Sequence, residues 1–399
     1  MFSSTDIPDR SGRMRVLVVA PPWYDVPPRG YGGIESMVAG LVTGLARRGH
    51  DVTLVGAGRA GTSARFLATF GRAPSERIGE SLPEVLHAAR VHAMSGGLAV
   101  DVVHDHSLAG PLHAPARTAP TVVTCHGDVA GEFGDYYRVL GATASMVAIS
   151  EAQRRIAPEL NWAGVVHNAV DAGTFPFRER KEDWVLWLGR FNEDKGAHLA
   201  IDAARAAGRR ILLAGKLVEP AEHAYFDAQV RPRLGPDAEY IGEAGTARKH
   251  ELLAAARCLI FPIVWDEPFG MVMIEAMACG TPVVALGRGA VPEVVVDGVT
   301  GFVRGDPAEL PAAVEAAGTI APRACRSRVE RFFCLEAMAR GYEAIYRRTI
   351  AALPGADDTA STATAATAGA VGTAGTAGSS GSSGSSGAEE SRDLAMPVN

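Results

Sequence analysis

The amino-acid sequence predicts an α/β protein made of two Rossmann-like, doubly wound domains that face each other across a cleft. Two observations predict this fold. From Met14 onward, short apolar runs alternate with Gly- or Pro-containing loops and amphipathic stretches, which is typical of a parallel sheet covered on both faces. The alternation stops at a polar, unpatterned stretch and then starts again, which indicates a second domain of the same class.

The first series predicts an N-terminal domain over residues 14–170. Its strands are predicted from Val- and Leu-rich runs at residues 15–20, 51–56, 101–106, 121–127 and 145–150. Apolar side chains recur at helical spacing in residues 34–49, so this segment is predicted to form the first helix. Ligands bind at the carboxyl ends of the strands in such sheets, and the loops after the strands are therefore the candidate functional segments.

A linker at residues 171–183 precedes the second domain, which is predicted over residues 184–327. Its strands are predicted at residues 184–189, 211–215, 238–242, 258–262, 282–286 and 301–304. Aromatic and aliphatic side chains at helical spacing predict a C-terminal packing helix at residues 328–350. Residues 351–399 are rich in Gly, Ala, Ser and Thr and are predicted to form a disordered tail.

The composition narrows the class of protein. Of 399 residues, 47% are apolar and 21% are charged, which is typical of a globular protein. The net charge of -6 disfavours a nucleic-acid partner, and no apolar run is long enough for a membrane span. The first 13 residues lack the apolar core of a secretory signal, and the five cysteines include no C-x-x-C pair. We therefore expect a cytoplasmic protein without a disulfide framework or a zinc ribbon.

The segment at residues 266–286, DEPFGMVMIEAMACGTPVVAL, carries the strongest functional signal. A Gly-containing turn leads into a predicted helix, whose free N–H groups and dipole suit an anionic or hydroxyl-rich ligand. Glu267 precedes the turn, and Glu275 lies about one turn inside the helix. Carboxylates accept hydrogen bonds from hydroxyl groups and N–H groups donate to phosphates, so the pattern fits a nucleotide sugar. Taken alone, each glutamate also fits an ordinary residue at a helix start or on a solvent-facing surface.

The two glutamates, with seven residues between them, resemble the E-x7-E signature of the retaining glycosyltransferases of family 4. The resemblance covers roughly residues 14–350 and implies the GT-B fold. It implies that Glu267 binds the hydroxyl groups of the donor sugar and that Glu275 binds the nucleotide ribose. It also implies that backbone N–H groups hold sugar and phosphate oxygens at Phe269, Gly270, Met271 and Val272.

Two further segments occur in the order that this resemblance implies. LGRFNEDKG delivers Arg190 and Lys195 beside a predicted helix start, and the resemblance assigns both cations to the donor diphosphate. RGYGGIE places Gly32 and Gly33 in a loop that, by the same resemblance, lies near the donor phosphates and the acceptor. This loop does not match the G-x-G-x-x-G fingerprint, which weakens the hypothesis of a nicotinamide-dependent dehydrogenase.

His126 follows a buried strand in TCHGD, and the resemblance makes it the candidate contact to the donor sugar. His104 and His106 also lie at a strand end, but the spacing of the three histidines is not diagnostic of a metal site, and we expect no metal. GRGAVPEVVVDGVTGFV resembles a family segment in which Gly289 marks a loop near the donor, and Glu293 fits a structural role.

The implied reaction moves a sugar from a nucleotide diphosphate sugar, as co-substrate, to a hydroxyl acceptor with retention of configuration. No other cofactor is implied. The acceptor, a glycan, a lipid or a small molecule, is expected on the N-terminal domain, and peripheral contact with a membrane stays open. One alternative is a GT-B-fold nucleotide-sugar epimerase or phosphorylase, and another is a non-catalytic nucleotide-sugar-binding protein. The joint presence of both cations and both glutamates favours the transferase.

Overall fold

The structure is a computed structural model that describes residues 12–30 and 32–352 of the chain. These residues form two parallel β-sheets, one of seven strands and one of six. The predicted α/β class and the two Rossmann-like domains are thereby confirmed. The first eleven residues and Tyr31 lie outside the described residues, as does the predicted tail apart from Ala351 and Ala352.

The N-terminal sheet lies within residues 15–165. Its strands are β1 (Arg15–Val19), β2 (Asp51–Ala57), β3 (Arg65–Phe70), β4 (Val102–Asp105), β5 (Thr121–Cys125), β6 (Ala144–Ala148) and β7 (Trp162–Val165). The accompanying helices are α1 (Gly33–Arg47), α2 (Ser81–Ser95), α3 (Gly131–Leu140) and α4 (Glu151–Ile156). The strand order is β3-β2-β1-β4-β5-β6-β7, so the order reverses between β1 and β4 and a crevice opens at their carboxyl ends.

The C-terminal sheet repeats this plan. Its strands are β8 (Trp184–Leu188), β9 (Arg210–Ala214), β10 (Ala238–Tyr240), β11 (Cys258–Phe261), β12 (Val283–Leu286) and β13 (Gly301–Arg304). The accompanying helices are α5 (Ala197–Ala206), α6 (Pro220–Tyr225), α7 (Thr246–Ala255), α8 (Met271–Ala278), α9 (Val291–Val294) and α10 (Leu310–Ala316). The strand order β10-β9-β8-β11-β12-β13 reverses between β8 and β11.

Both faces of the C-terminal sheet are buried, which explains the continuous apolar runs in the sequence. In β8, Val185 and Trp187 pack into one apolar cluster, and Leu186 between them packs into another. Successive side chains of a strand point to opposite faces, so a strand covered on both sides must be apolar at every position.

The strands β3 and β7 were not predicted, and both are outer strands of the N-terminal sheet. In β3 only Thr69 is fully buried, and all four residues of β7 are half-buried. These two strands have little apolar cover, so their sequences carry no uninterrupted apolar run for the pattern to detect.

The C-terminal segment differs from the single packing helix predicted at residues 328–350. It forms two helices, α11 (Pro322–Phe332) and α12 (Leu335–Ala351), because Cys334 adopts an extended conformation between them. Helix α12 packs against α1, where a Cβ atom at Gly44 would lie only 2.8 Å from the carbonyl oxygen of Leu335. Ala351, assigned to the tail from the sequence, is still helical.

The chain passes between the two sheets at two adjacent points. The N–H group of Val170 donates a hydrogen bond to the carbonyl oxygen of Phe333, so the start of the linker lies beside the break between α11 and α12. Helix α12 thus joins the core of the N-terminal sheet, although it follows the C-terminal sheet in sequence. Within the described residues, no helix combines the length and the apolar character of a membrane span.

Candidate functional site

Glu267 lies in the loop between β11 and α8, at the carboxyl edge of the C-terminal sheet. The loop turns into α8 at Gly270, whose φ of 79° is a left-handed conformation that favours glycine. A Cβ atom at Gly270 would lie 2.7 Å from the Cε atom of Met273, so a larger residue does not fit without a shift. Helix α8 therefore begins directly after the loop that carries Glu267.

Two adjoining pockets lie in the cleft, and residues of both sheets' loops line each of them. The first has a volume of about 470 Å³ and is called the basic pocket, because its lining includes the cations Arg190, Lys195, Lys216 and Lys249. The second has a volume of about 380 Å³ and is called the aromatic pocket, because its lining includes the aromatic residues Trp23, Tyr24 and Phe269. The two pockets share the residues Gly32, Gly33, Glu267, Gly270 and Met271.

The basic pocket brings together the four charged residues that the sequence singled out. The Nζ atom of Lys195 donates a hydrogen bond to Glu267 and lies 4.8 Å from the ring centroid of Trp265. Glu267 and Glu275 are each only 14% exposed, so each carboxylate needs a nearby cation. Glu275 accepts a hydrogen bond of 2.8 Å from the Nζ atom of Lys249.

Arg190 is fixed at the wall of the basic pocket by the start of α6. Its Nε atom donates a 2.7 Å hydrogen bond to Glu222, and its Nη2 atom lies 2.5 Å from Glu219. Burial raises the pKa of Glu222, but N–H groups of Val218 and Glu219 and the Arg190 guanidinium outweigh burial and hold that pKa below its usual value. The guanidinium is therefore held in one orientation beside the pocket.

Lys216 and Lys249 line the basic pocket but were not predicted from the sequence. A signal for both was present, because the whole chain has only four lysines, and three of them line this pocket. The fourth, Lys181, donates hydrogen bonds to the carbonyl oxygens of Ala254 and Cys279 at 2.9 Å. Three of the four lysines thus lie at the basic pocket, so the scarcity of lysine in the sequence was a usable signal.

The four residues whose N–H groups were predicted to bind the donor all lie at the start of α8. Gly270 and Met271 line both pockets, and Val272 lines the basic pocket. The side chain of Phe269 is 2% exposed, with its ring centroid 5.9 Å from that of Phe333. Phe269 is thus part of the core through its ring and can serve a ligand through its backbone.

The predicted glycine loop closes the cleft from the opposite side. Gly32 has a φ of 143°, and a Cβ atom there would lie 2.8 Å from the ring of Pro28 and 3.3 Å from the carboxylate of Glu35. Gly33 follows as the first residue of α1. Both glycines line both pockets, so the backbone of this loop comes close to any ligand that spans them.

His126 lines the aromatic pocket and heads a buried chain of histidines. Its Nε2 atom lies 2.9 Å from the Nδ1 atom of His106, and the rings of His106 and His104 are 4.0 Å apart. His104 in turn contacts the hydroxyl groups of Tyr346 at 2.7 Å and Thr124 at 2.8 Å. Among the described residues, no group of three His, Cys, Asp or Glu side chains is placed to hold a metal ion.

The network assigns the proton of each ring in the His106–His126 pair. The Nε2 atom of His106 is buried and has no hydrogen-bond partner among the described residues. A proton there would be a buried, unsatisfied donor, so we place the proton of His106 on Nδ1, where it is donated to His126. His126 then carries its own proton on Nδ1. Burial lowers its pKa to about 4, so the ring is neutral.

Glu35, in the first turn of α1, also lines the aromatic pocket and was not predicted as a site residue. Glu35 is 3% exposed. Burial raises the pKa of its carboxyl group to about 7, and the negative charge of Glu84 also raises this pKa. The motif RGYGGIE contains this residue, but nothing in the sequence shows that its carboxyl group is buried.

Gly289 and Glu293, which resemble residues of a family segment, contact the backbone of the loops that form the site. Gly289 packs on the backbone of Glu267, where a Cβ atom would lie 2.2 Å from the carbonyl oxygen. Glu293 accepts hydrogen bonds from the N–H groups of Glu151 at 2.9 Å and Ala152 at 2.6 Å, at the start of α4. It therefore connects the loops of the two sheets, a structural role as predicted.

The architecture is the GT-B fold of glycosyltransferases. Solved structures of this fold are similar to it. AviGT4, a glycosyltransferase involved in avilamycin A biosynthesis, is 28% identical, with a TM-score of 0.67 over 85% of this chain and 99% of that one. HepE from Anabaena, solved in complex with UDP-glucose, shares the fold with a TM-score of 0.63 at 18% identity, over 86% of this chain and all of that one.

Family comparisons identify the chain more closely. Residues 31–173 match the family model of glycosyltransferase family 4, and residues 182–318 match that of the glycosyl transferases group 1. The alpha-maltose-1-phosphate synthase of Mycobacterium tuberculosis is 31% identical over 336 residues, which cover 72% of this chain and 84% of the relative. The chain belongs to glycosyltransferase family 4 and is a glycosyltransferase.

Proposed function

We propose that the protein transfers a sugar from a nucleotide diphosphate sugar to an acceptor hydroxyl group with retention of the anomeric configuration. The bond between the anomeric carbon and the diphosphate oxygen breaks, and the nucleoside diphosphate leaves. The acceptor oxygen bonds to the same face of the sugar, and its proton passes to the departing phosphate. No metal and no cofactor besides the donor takes part in this proposal.

The arrangement of Lys195 and Glu267 carries the proposal. Both side chains line the basic pocket beside the N-terminus of α8, where a cation, a carboxylate and backbone donors converge. A diphosphate group needs the cation and the N–H groups, and sugar hydroxyl groups need the carboxylate. A sugar nucleotide is the class of compound that presents both.

The proposed roles follow from position. Arg190 and Lys195 bind the diphosphate and stabilise the negative charge that develops on the leaving nucleotide. Glu267 and His126 bind hydroxyl groups of the donor sugar, and Glu275, held by Lys249, binds the ribose. Glu267 is an orienting group in this scheme and forms no covalent bond. Positioning and electrostatic stabilisation supply most of the rate enhancement.

We also place the enzyme in the cytoplasm. Cys125, Cys258, Cys279 and Cys325 are buried free thiols, and Cys334 is also unpaired. Free thiols persist in the reducing cytosol, which supports this placement.

Thermal shift with a panel of UDP-, GDP-, ADP- and dTDP-sugars tests donor binding, since a ligand that binds the native state raises the melting temperature. With the donor so found, Glu267→Gln should lower the rate of sugar transfer about a hundredfold and leave the shift caused by the free nucleoside diphosphate unchanged. Glu239→Gln, on the exposed surface of β10, is the matched control.

Three outcomes decide between the alternatives. Release of nucleoside diphosphate that requires an acceptor supports the transferase. Release without net transfer to any acceptor, with an isomerised sugar, supports an epimerase, and binding without turnover supports a binding protein. Unchanged transfer by Glu267→Gln would remove Glu267 from the mechanism.

A further inference from the structure

The basic pocket and the aromatic pocket differ in charge, and this difference points to the chemical class of the acceptor. Four cations line the basic pocket and balance its four carboxylates, Asp194, Glu243, Glu267 and Glu275. Within the described part of the chain, no lysine or arginine lines the aromatic pocket. Its acidic lining residues are the glutamates Glu35 and Glu267.

Two buried side chains of the aromatic pocket offer oxygen atoms to a ligand. Asn168 is 5% exposed, and its Oδ1 atom is buried without a hydrogen-bond partner among the described residues. Glu35 adds two carboxyl oxygens on a residue that is 3% exposed. A buried acceptor without a partner, such as Oδ1 of Asn168, is rare in native proteins, because it loses its contact with water. A ligand hydroxyl group that donates a hydrogen bond would satisfy it.

The remaining lining suits a compact, uncharged ring. Trp23 and Tyr24 follow β1 and are half-buried at the pocket, and Ile78 closes it with an apolar side chain. Small-molecule pockets commonly combine apolar and aromatic walls with a few polar groups that fix orientation. The aromatic pocket has this composition, with Glu35, Asn168 and His126 among its polar side chains.

We propose that the acceptor is an uncharged, hydroxyl-rich compound, a neutral saccharide or polyol, whose hydroxyl groups bind Glu35 and Asn168. This inference rests on the proposed function and adds the acceptor class to it. One hydroxyl group donates to Oδ1 of Asn168, and another exchanges a hydrogen bond with the carboxyl group of Glu35, which donates when protonated and accepts when ionised. The ring packs on Trp23. Glu35 contacts the acceptor and Glu267 contacts the donor, so each of the two glutamates binds one of the two substrates.

An acceptor with a phosphate next to its reacting hydroxyl does not fit this pocket. A phosphate monoester carries about two negative charges at pH 7. Among the residues that the structure describes, no lysine or arginine lines the aromatic pocket to offset them, and Lys195 beside it is already paired with Glu267. Like charges in a partly desolvated site repel one another and disfavour the wrong ligand strongly.

The first test compares matched acceptors with the full-length enzyme and its identified donor. Free sugars and cyclitols, such as glucose and myo-inositol, are paired with their phosphate monoesters. Release of nucleoside diphosphate is measured for each. We expect kcat/KM for at least one neutral compound to exceed that of its phosphorylated partner more than tenfold. A phosphorylated acceptor that works better than its neutral partner overturns the inference, as does the failure of every neutral acceptor.

The second test asks whether Glu35 contacts the acceptor. We expect Glu35→Ala to raise the KM for the neutral acceptor at least tenfold and Glu35→Gln to recover part of that loss. Acceptor-independent donor hydrolysis and the donor-induced thermal shift should stay unchanged in both variants. Equal KM values in the wild type and Glu35→Ala would remove Glu35 from the acceptor site.

The matched control is Glu159→Gln. Glu159 is also a glutamate of the N-terminal domain, but it is exposed and lines neither pocket. It should leave the acceptor KM unchanged. Failure of the proposed function has a separate signature, because no sugar nucleotide would then shift the melting temperature or be hydrolysed. Donor binding with preference for phosphorylated acceptors would overturn this inference alone.

Discussion

The two sheets have the same strand order around their crevices, but the loops at their carboxyl edges differ in electrostatic character. At the C-terminal sheet, Lys195 pairs with Glu267 and Lys249 pairs with Glu275. At the N-terminal sheet, Glu35 and the neutral His126 line a pocket whose described lining contains no lysine or arginine. The fold supplies two equivalent crevices, and side-chain charge decides what each one binds.

The largest expected effect comes from the basic pocket. Lys195→Met should lower kcat/KM for the donor about 10²–10³-fold, because the cation stabilises the charge that develops on the leaving nucleotide. Arg248→Met also removes one positive charge from the C-terminal domain, but Arg248 lies outside both pockets and should leave kcat/KM within twofold of the wild type. Steady-state kinetics of nucleoside diphosphate release measures both. Equal losses in the two variants would show a general charge effect.

An intermediate effect concerns the pH dependence of the protein's stability, to which the buried Glu35 contributes. The pKa of Glu35 rises from 4.5 in its ordinary state to about 7 in the fold, so the native state keeps a proton that the unfolded chain releases over this range. The free energy of unfolding of the wild type should therefore fall by roughly 3 kcal/mol, relative to Glu35→Gln, as the pH rises from 4 to 8. Urea titrations at both pH values measure the difference.

The control for this pH effect is Glu132→Gln. Glu132 also lies in the first turn of a helix, but it is exposed. Its stability difference from the wild type should be the same at both pH values. A difference for Glu35→Gln that does not change with pH would show that its carboxyl group is not protonated in the fold.

The smallest effect tests how His126 is held. His106→Leu removes the hydrogen bond to the Nε2 atom of His126 and should lower kcat roughly tenfold at most, the value of one such bond. His106→Asn places an amide nitrogen near the position of Nδ1 and should recover most of the rate. If the two variants lose the same activity, packing against His104 explains the effect better than the hydrogen bond does.

Of the described strands, the sequence predicted all but β3 and β7, including the outer strands β10 and β13. Residues 184–188 form an uninterrupted apolar run because neighbouring strands and helices cover every side of β8. The strands β3 and β7 have one free edge, and half-buried positions leave no such run. The break between α11 and α12 also has no local signal, because Phe333 is buried by contacts with distant parts of the chain.

The candidate site was predictable where chemistry and motif coincide in one segment. Glu267 and Glu275 lie on one loop and the helix after it, so a local pattern contains both. Lys249 and Glu35 acquire their positions only when separate segments meet, and the burial of Glu35 is a property of the folded pocket. Burial cannot be read from the charge of a residue, so the sequence predicted the residues of the basic pocket better than it predicted Glu35.

The pairing of lysines with glutamates has a consequence for selectivity. A small anion such as inorganic phosphate that draws Lys195 away leaves Glu267, 14% exposed, without a counter-ion and next to a new negative charge. An activated sugar brings oxygen atoms for the ammonium group and hydroxyl groups for the carboxylate in a single molecule. The cleft therefore favours a ligand that presents both kinds of group at once over inorganic phosphate.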